Sequence, residues 1–319
     1  KLLLIGTLSR DAGNGAQDVI CFISSKGEII AYQGSDPSDT NNWLQIGRYV
    51  AAPPIGNRSL IRVDGDLGLL TSKGVLSLRQ IAAGGLSAAD RGAITGNIDQ
   101  GISDDFAAYG ALTGWEMISH PQTRQLIVNV PRTSTTATQW AMNIQNGAWC
   151  TYGRYASPIN ATCWGTFNDN LYFGTAAGTV FRAENGYQDA GAAITAQLKT
   201  SFQHYGAGGG VERVTMVKPM FTAGGNVRPA IRINVDYRND KPMSSDEFPG
   251  TSGSEGGVWG VGLWGTAVWG NSNTPYANWL AAQGIGDVSA INMVVSASGM
   301  PVKLNAFALR YEDARGVSL

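Results

Sequence analysis

Two stretches of this chain set aromatic rings and a guanidinium at a fixed spacing. They are Trp43-Leu44-Gln45-Ile46-Gly47-Arg48-Tyr49 and Trp149-Cys150-Thr151-Tyr152-Gly153-Arg154-Tyr155, both reading Trp-x-x-x-Gly-Arg-Tyr. Taken singly, Trp, Arg and Tyr so close together could stack on sugars or nucleic-acid bases. Taken as a pair they say something else. A repeated segment marks a repeated structural unit, and repeats decide the architecture before any chemistry is assigned. Residues recurring at a matched position are expected to hold units together. Trp43, Arg48, Tyr49, Trp149, Arg154 and Tyr155 are therefore read as structural and interface candidates, with the arginines clamping unit to unit through carbonyl groups.

Other chemistry has thin support. There is no Gly-x-Ser-x-Gly elbow for a serine nucleophile. The two histidines are far apart; His120 in Ser119-His120-Pro121-Gln122 reads as a turn, and His204 flanks a Gly-rich loop. Cys21, Cys150 and Cys163 form no Cys-x-x-Cys pair, so neither a zinc site nor a disulfide framework is expected. Ser35-Asp36-Pro37-Ser38-Asp39, Asp64-Gly65-Asp66 and Asn168-Asp169-Asn170 are rich in oxygen ligands but lack an EF-hand spacing. Asp and Asn are ordinary turn residues, and that is their expected role. Gly284-Ile285-Gly286 lacks the third glycine and the strand-turn-helix setting of a dinucleotide site. Asn143 to Trp149 is the nearest match to the Asp box of sialidase blades, but it lacks the Ser and the Asp. No catalytic residue, cofactor or metal is expected.

The composition fits a structural reading. Charged residues make up 15% of 319 residues, against about a quarter in an average soluble protein. Glycine is abundant at 42 residues, with nine Trp and eleven Tyr. Few charges with many glycines and aromatics suit strands, tight turns and contacts with other chains. A formal net charge of −1 offers no field for gripping phosphates. It is compatible with a channel through which DNA slides.

The elements that would position these residues read as strands. Val19–Ile23 and Glu28–Tyr32 form a hairpin about Ser24-Ser25-Lys26-Gly27. Further units follow at 59–78, 125–152 and 161–182, each an antiparallel meander. Gly27, Gly74, Gly147 and Gly178 are placed at the same turn of the four units. Such meanders expose apolar faces that neighbours must bury, which is how propeller blades behave. Between the second and third units, 82–114 breaks the pattern. Ser87 and Ser103 are read as N-caps of two short helices there. From about 190 the texture changes to a second β region, 191–319. It holds strands near 194–202, 211–221, 230–237, 290–296 and 303–311, a polar loop at 239–257, and an arm at 258–270. That arm carries Trp259, Trp264 and Trp269, spaced for neither a strand nor a helix face, and is read either as a set of anchors for a neighbouring chain or as a Trp-rich local core. The fold expected is all-β: propeller-like blades over 1–190 with a short helical insertion, then a sandwich-like region. Because the sequence opens at Lys1 inside a strand, further blades are expected upstream.

Several runs carry a family resemblance. They include Gly34-Ser35-Asp36-Pro37-Ser38-Asp39 with Trp43 and Gly47-Arg48-Tyr49, Pro53-Pro54-Ile55-Gly56-Asn57-Arg58, and Asp66-Leu67 with Leu70-Thr71-Ser72-Lys73-Gly74-Val75. They also include Asn129-Val130-Pro131, Met142-Asn143 with Gly147-Ala148-Trp149-Cys150, Leu171-Tyr172-Phe173-Gly174 with Gly178, and Asp189-Ala190-Gly191. Over roughly 19–240 the chain resembles tail-nozzle and tail-tube virion proteins of short-tailed bacteriophages, similar to those called packaged-DNA stabilisation proteins. The resemblance implies a non-enzymatic subunit, six copies of which form a ring below the portal and adaptor. Its partners would be its own copies, portal, adaptor and tail-fibre proteins, and double-stranded DNA passing through the lumen. The ring would retain the packaged genome and let it out at ejection, in a virion assembled in the bacterial cytoplasm. The competing expectation is a sugar-binding or sugar-cleaving propeller with exposed aromatics and paired carboxylates on one face.

Overall fold

A computed structural model describes residues 1–11, 16–63, 65–84, 93–152, 159–205, 210–225, 227–240, 251–252 and 274–313. The chain is all-β with short helices, and it divides into two compact units between Glu184 and Asn185.

The first unit is a series of four antiparallel meanders. Sheet 1 holds β1 (Leu2–Asp11), β2 (Ala16–Ser24), β3 (Glu28–Gly34) and β4 (Trp43–Val50). Sheet 2 holds β5 (Leu60–Val63), β6 (Asp66–Thr71) and β7 (Gly74–Ser77). Helices α1 (Leu78–Gly84) and α2 (Asp99–Tyr109) follow, with a 3-10 turn at Gly96–Ile98 between them. Sheet 3 holds β8 (Glu116–His120), β9 (Gln125–Pro131), β10 (Ala137–Asn143) and β11 (Trp149–Tyr152). Sheet 4 holds β12 (Ala161–Phe167), β13 (Asn170–Thr175) and β14 (Val180–Arg182).

Each sheet packs on the next. Leu4, Leu8, Val19, Cys21, Ile23 and Ile29 of sheet 1 meet Leu67, Leu69 and Leu76 of sheet 2. Leu70 and Val75, on the other face of sheet 2, meet Met117, Leu126, Val128 and Trp140 of sheet 3. Ile127 and Ala141 then meet Trp164 and Leu171 of sheet 4. This explains the strand texture. Sheets 2 and 3 are covered on both faces, so β6 and β9 run continuously apolar (Leu69-Leu70, Leu126-Ile127-Val128) rather than alternating. Burying each such side chain contributes about 1.5–3 kcal/mol.

The turn glycines all have positive φ: 83° at Gly27, 97° at Gly74, 68° at Gly147 and 79° at Gly178. Three of them turn the chain between second and third strands, whereas Gly147 lies between the third and fourth strands of sheet 3. Their expected equivalence is therefore offset by one strand in that sheet. The reason is β8, a strand that ends at His120, where a turn is expected. Glu116 and His120 are buried polar residues on its inward face, and they disguise the alternation of a strand. The first strand is also longer than the four residues expected, making sheet 1 four-stranded. In the insertion, α2 begins at Asp99, so Ser103 sits inside it rather than at its N-cap. The helix expected at Ser87 lies outside the described residues.

The second unit is a sandwich. One sheet has the order β15 (Ile194–Lys199), β21 (Ser289–Ser298), β17 (Ala230–Val235), with β18 (Thr251–Ser252) parallel to β21. The other centres on β16 (Glu212–Ala223), flanked by β22 (Val302–Asp313) on one side and by β19 (Thr274–Ala277) and β20 (Leu280–Gly286) on the other. Val214, Val217 and Phe221 of β16 face Ile233, Ile291, Met293 and Val295 across the core. The segment expected to be structureless from 239 to 257 contributes β18. Gly284-Ile285-Gly286 ends β20. A Cβ at Gly284 would lie 2.9 Å from Ile233 Cβ, so the glycine marks close packing, not a phosphate cradle. The boundary expected near 190 falls at 184, because Tyr187 and Gln188 bond to the β21 end through Gly299 and Ser298.

Candidate functional site

Both repeated stretches open on the last strand of a four-stranded meander. Trp43 opens β4 and Trp149 opens β11. Their roles then diverge. Trp43 stacks on Tyr32 of the neighbouring strand, with centroids 5.5 Å apart and planes 12° from parallel. Trp149 packs into the core between sheets 2 and 3, and its indole N–H donates to the Ile94 carbonyl at 3.2 Å.

The Gly-Arg-Tyr part has a direct steric logic. Successive strand residues point to opposite faces. Gly47 and Tyr49 therefore share the face turned to sheet 2, and Arg48 points away. The Tyr49 ring lies back over Gly47, where any Cβ would come within 2.6 Å of ring carbon Cε2. Arg48 does not clamp one meander to another as expected. It pairs with Glu28 of the adjacent strand, on the outward face of the same sheet. The pair is exposed, and such pairs are worth at most about 1 kcal/mol. Gly153, Arg154 and Tyr155 lie outside the described residues, as do Trp259, Trp264 and Trp269.

Joining of meanders is done by polar residues that the repeat did not reveal. Glu116 is one. Its Oε2 accepts from Arg58 Nη1 (3.1 Å) and from the backbone N–H of Trp164 (3.0 Å), tying the loop before β5, β8 and β12 together. Asn129 is another, 1% exposed. Its Oδ1 accepts from Gln139 Nε2 at 2.8 Å and Trp164 Nε1 at 3.1 Å, and its amide donates to the Gly114 and Ala161 carbonyls. His120 is buried: one ring nitrogen contacts the Asp169 carbonyl at 3.1 Å and the other the Thr123 hydroxyl at 2.8 Å. It anchors the β12–β13 turn to sheet 3. Asp105 of α2 bonds Arg132 at 2.8 Å and Trp140 Nε1 at 2.8 Å, fixing the helix on sheet 3. Tyr152 of β11 bonds Gln125 and Glu184, each at 3.0 Å. Burial, reinforced by the Glu184 carboxylate, pushes its phenol well above the ordinary range.

The oxygen-rich turns serve their own backbones. Asp36 accepts from the amide and hydroxyl of Ser38, which hold its carboxyl below the usual value. Asp39 accepts from Asn41 and Asn42. Among the described residues no group of three or more His, Cys, Asp or Glu side chains gathers as a metal site would require. An open hollow on sheet 4 is lined by Gly165, Thr166, Phe167 and Tyr172.

What the geometry offers is surfaces. The outward face of sheet 1 carries Ile5, Ile20, Phe22, Ile30 and Tyr32; that of sheet 4 carries Phe167, Tyr172 and Val180. Ile5 is 53% exposed, Phe167 76% and Val180 69%. No protein-family model matches this chain, and no curated protein matches it.

Proposed function

We propose that this chain is a structural subunit of a short-tailed bacteriophage tail nozzle. Copies of it form a ring that extends the DNA channel, retains the packaged genome and opens for ejection. The observation that carries the reading is the first unit itself: four meanders packed in series, with apolar residues on both outermost faces. Large exposed apolar patches mark surfaces meant for contact. A series of this kind fits the blades of a propeller and a protein built for permanent assembly. The near-neutral balance of 23 basic against 24 acidic residues suits a lumen that lets DNA pass. The quoted runs that resemble nozzle proteins supply the virion context.

The alternative, a glycan-binding propeller, would place hydrogen-bonding groups beside exposed rings. The hollow beside Phe167 and Tyr172 has two hydroxyls in its lining, Thr166 and Tyr172, but no carboxylate, so it lacks the paired carboxylates expected of a sugar-cleaving site. Gold-conjugated antibody against the chain tests the proposal on intact particles of the phage that encodes it. Labelling at the tail tip is expected; particles lacking the protein, with the chain free in the lysate, would overturn it.

A further inference from the structure

In the second unit, the sheet centred on β16 turns a basic face outward. Val217 and Phe221 of β16, with Leu304, Phe307 and Leu309 of β22, point into the sandwich core. Alternation along a strand then turns their neighbours the other way. Register places Arg213 beside Glu312, Met216 beside Arg310, Lys218 beside Ala308 and Thr222 beside Lys303. On the other flank of β16, Met216 stands beside Ala281, and Lys218 Nζ lies 5.9 Å from the centroid of the exposed Trp279 ring. This face therefore carries Arg213, Lys218, Lys303 and Arg310 against one carboxylate, Glu312.

Among the described residues none of these four cations makes an ion pair. Elsewhere in the chain Arg48, Arg58, Arg132 and Arg232 each meet a carboxylate. An apolar partner laid on this face would have to strip water from unpaired charges, which is costly. The same face of a second copy would set like charges together. What suits it is a partner carrying negative charge along its length. From Arg213 to Thr222, the neighbour of Lys303, is nine positions along β16. At ~3.3 Å per residue the cations span about 30 Å, on two strands about 4.8 Å apart. Between them Ala281 and Ala306 are exposed and stop at Cβ, so a long, smooth ligand can lie close.

We infer that the outward face of the β16 sheet is where this chain meets the phosphate backbone of double-stranded DNA. The contact is sparse. A duplex carries one charge per about 1.7 Å of axis, so roughly eighteen phosphates pass a stretch of that length and meet four cations. Such a face binds without reading sequence, weakly and with steep loss in salt. It keeps a moving duplex near the protein without holding it in place. The inference rests on the proposed nozzle role for the choice of duplex DNA among polyanions. The two fail separately: a chain at the tail tip that binds no DNA sinks this inference alone, and a DNA-binding chain missing from the particle sinks the nozzle reading alone.

The experiment is fluorescence anisotropy of a labelled random-sequence duplex of about 30 base pairs, a length set by the charge spacing, titrated with the full 319-residue chain across a salt series. With four phosphate contacts the affinity falls with salt at a log–log slope of about −3.6, a loss of roughly 100-fold between ~50 and ~200 mM. The double variant Lys218→Gln, Arg310→Gln brings the slope to about −1.8 and weakens binding by roughly tenfold per residue at ~50 mM salt. Lys218→Arg with Arg310→Lys keeps the slope. Arg48→Gln, which removes a cation paired with Glu28 in the first unit, leaves slope and affinity as they were. Urea midpoints equal to the unaltered chain show that these exposed changes leave folding intact. No binding at ~20 mM salt, the condition in which phosphate contacts are strongest, overturns the inference. So does a slope that the Lys218 and Arg310 pair does not change. Poly-glutamate that displaces the duplex at equal charge also overturns it, and assigns the face to an acidic protein segment.

Discussion

Asn129→Ala is expected to destabilise the first unit through one identifiable hydrogen bond. In the folded protein Asn129 Oδ1 is shared by Gln139 Nε2 and Trp164 Nε1. Without it Gln139 keeps its second acceptor, the Ile159 carbonyl at 2.7 Å. Trp164 has no such alternative, and its ring is 7% exposed. An orphaned buried donor costs about 1–3 kcal/mol. Loss of the amide from the Gly114 and Ala161 carbonyls brings the sum to about 2–4 kcal/mol. For a unit of this size a kilocalorie shifts the melting temperature by roughly 2–4 °C, so a fall of roughly 4–16 °C is expected. Trp164→Phe removes the N–H while keeping most of the ring, and should cost about 1–2 kcal/mol. The double variant should cost less than the sum, with coupling of about 0.5–3 kcal/mol. Circular dichroism during urea and thermal unfolding reads all four proteins. Additive costs, within about 0.3 kcal/mol, would refute the argument that this bond joins sheets 3 and 4.

Further outcomes follow from the same contacts. Gly178→Ala meets open space and should cost only the left-handed backbone penalty, about 1–2 kcal/mol; Gly27→Ala should cost clearly more, since its Cβ collides with the Ala51 carbonyl. Urea midpoints compare the two. Arg48→Ala should lose less than about 1 kcal/mol, being one half of an exposed pair. Trp149→Ala should lose about 2–4 kcal/mol and the Ile94 bond. Stability should also fall in alkali. Burial, with the Asp66 carboxylate, pushes the Cys21 thiol up to about 11, and Tyr152 is raised as well. Unfolded Cys and Tyr ionise at about 8.5 and 10, so above those values the unfolded chain releases protons that the folded chain retains. The stability is complete below pH ~8.5 and declines as pH climbs toward the folded values. Tyr152→Phe and Cys21→Ala should each flatten that decline in a pH series of denaturation midpoints.

Much of the fold was legible because strand texture and turn chemistry agree. Ser-Lys-Gly before β7 and Asn-Gly before β11 mark turns whose glycines take positive φ, and the hairpins on either side carry the β-branched runs expected of strands. The sandwich strands β16, β17, β21 and β22 were equally visible. What escaped is instructive in each case. β8 hides behind Glu116 and His120, polar residues buried because they bond across to Trp164 and Asp169. β20 hides behind Gly284 and Gly286, glycines set by packing against β17. The repeated Trp-x-x-x-Gly-Arg-Tyr correctly marked the last strand of a meander. It misplaced the clamp, because a strand alternates its faces and Arg48 is turned away from sheet 2. The residues that do tie meander to meander, Glu116, Asn129, His120 and Tyr152, recur at no matched spacing and are recognisable only once their partners stand opposite them.

The central claim is that this chain is a ring-forming piece of a phage tail. An electron cryo-microscopy reconstruction of the phage tail in which the chain is proposed to sit tests that claim most directly. The account predicts a ring of copies, six by the resemblance, around a channel containing DNA. A tail whose channel is built without this chain, or the chain recovered as a glycan-binding monomer apart from the particle, would contradict it.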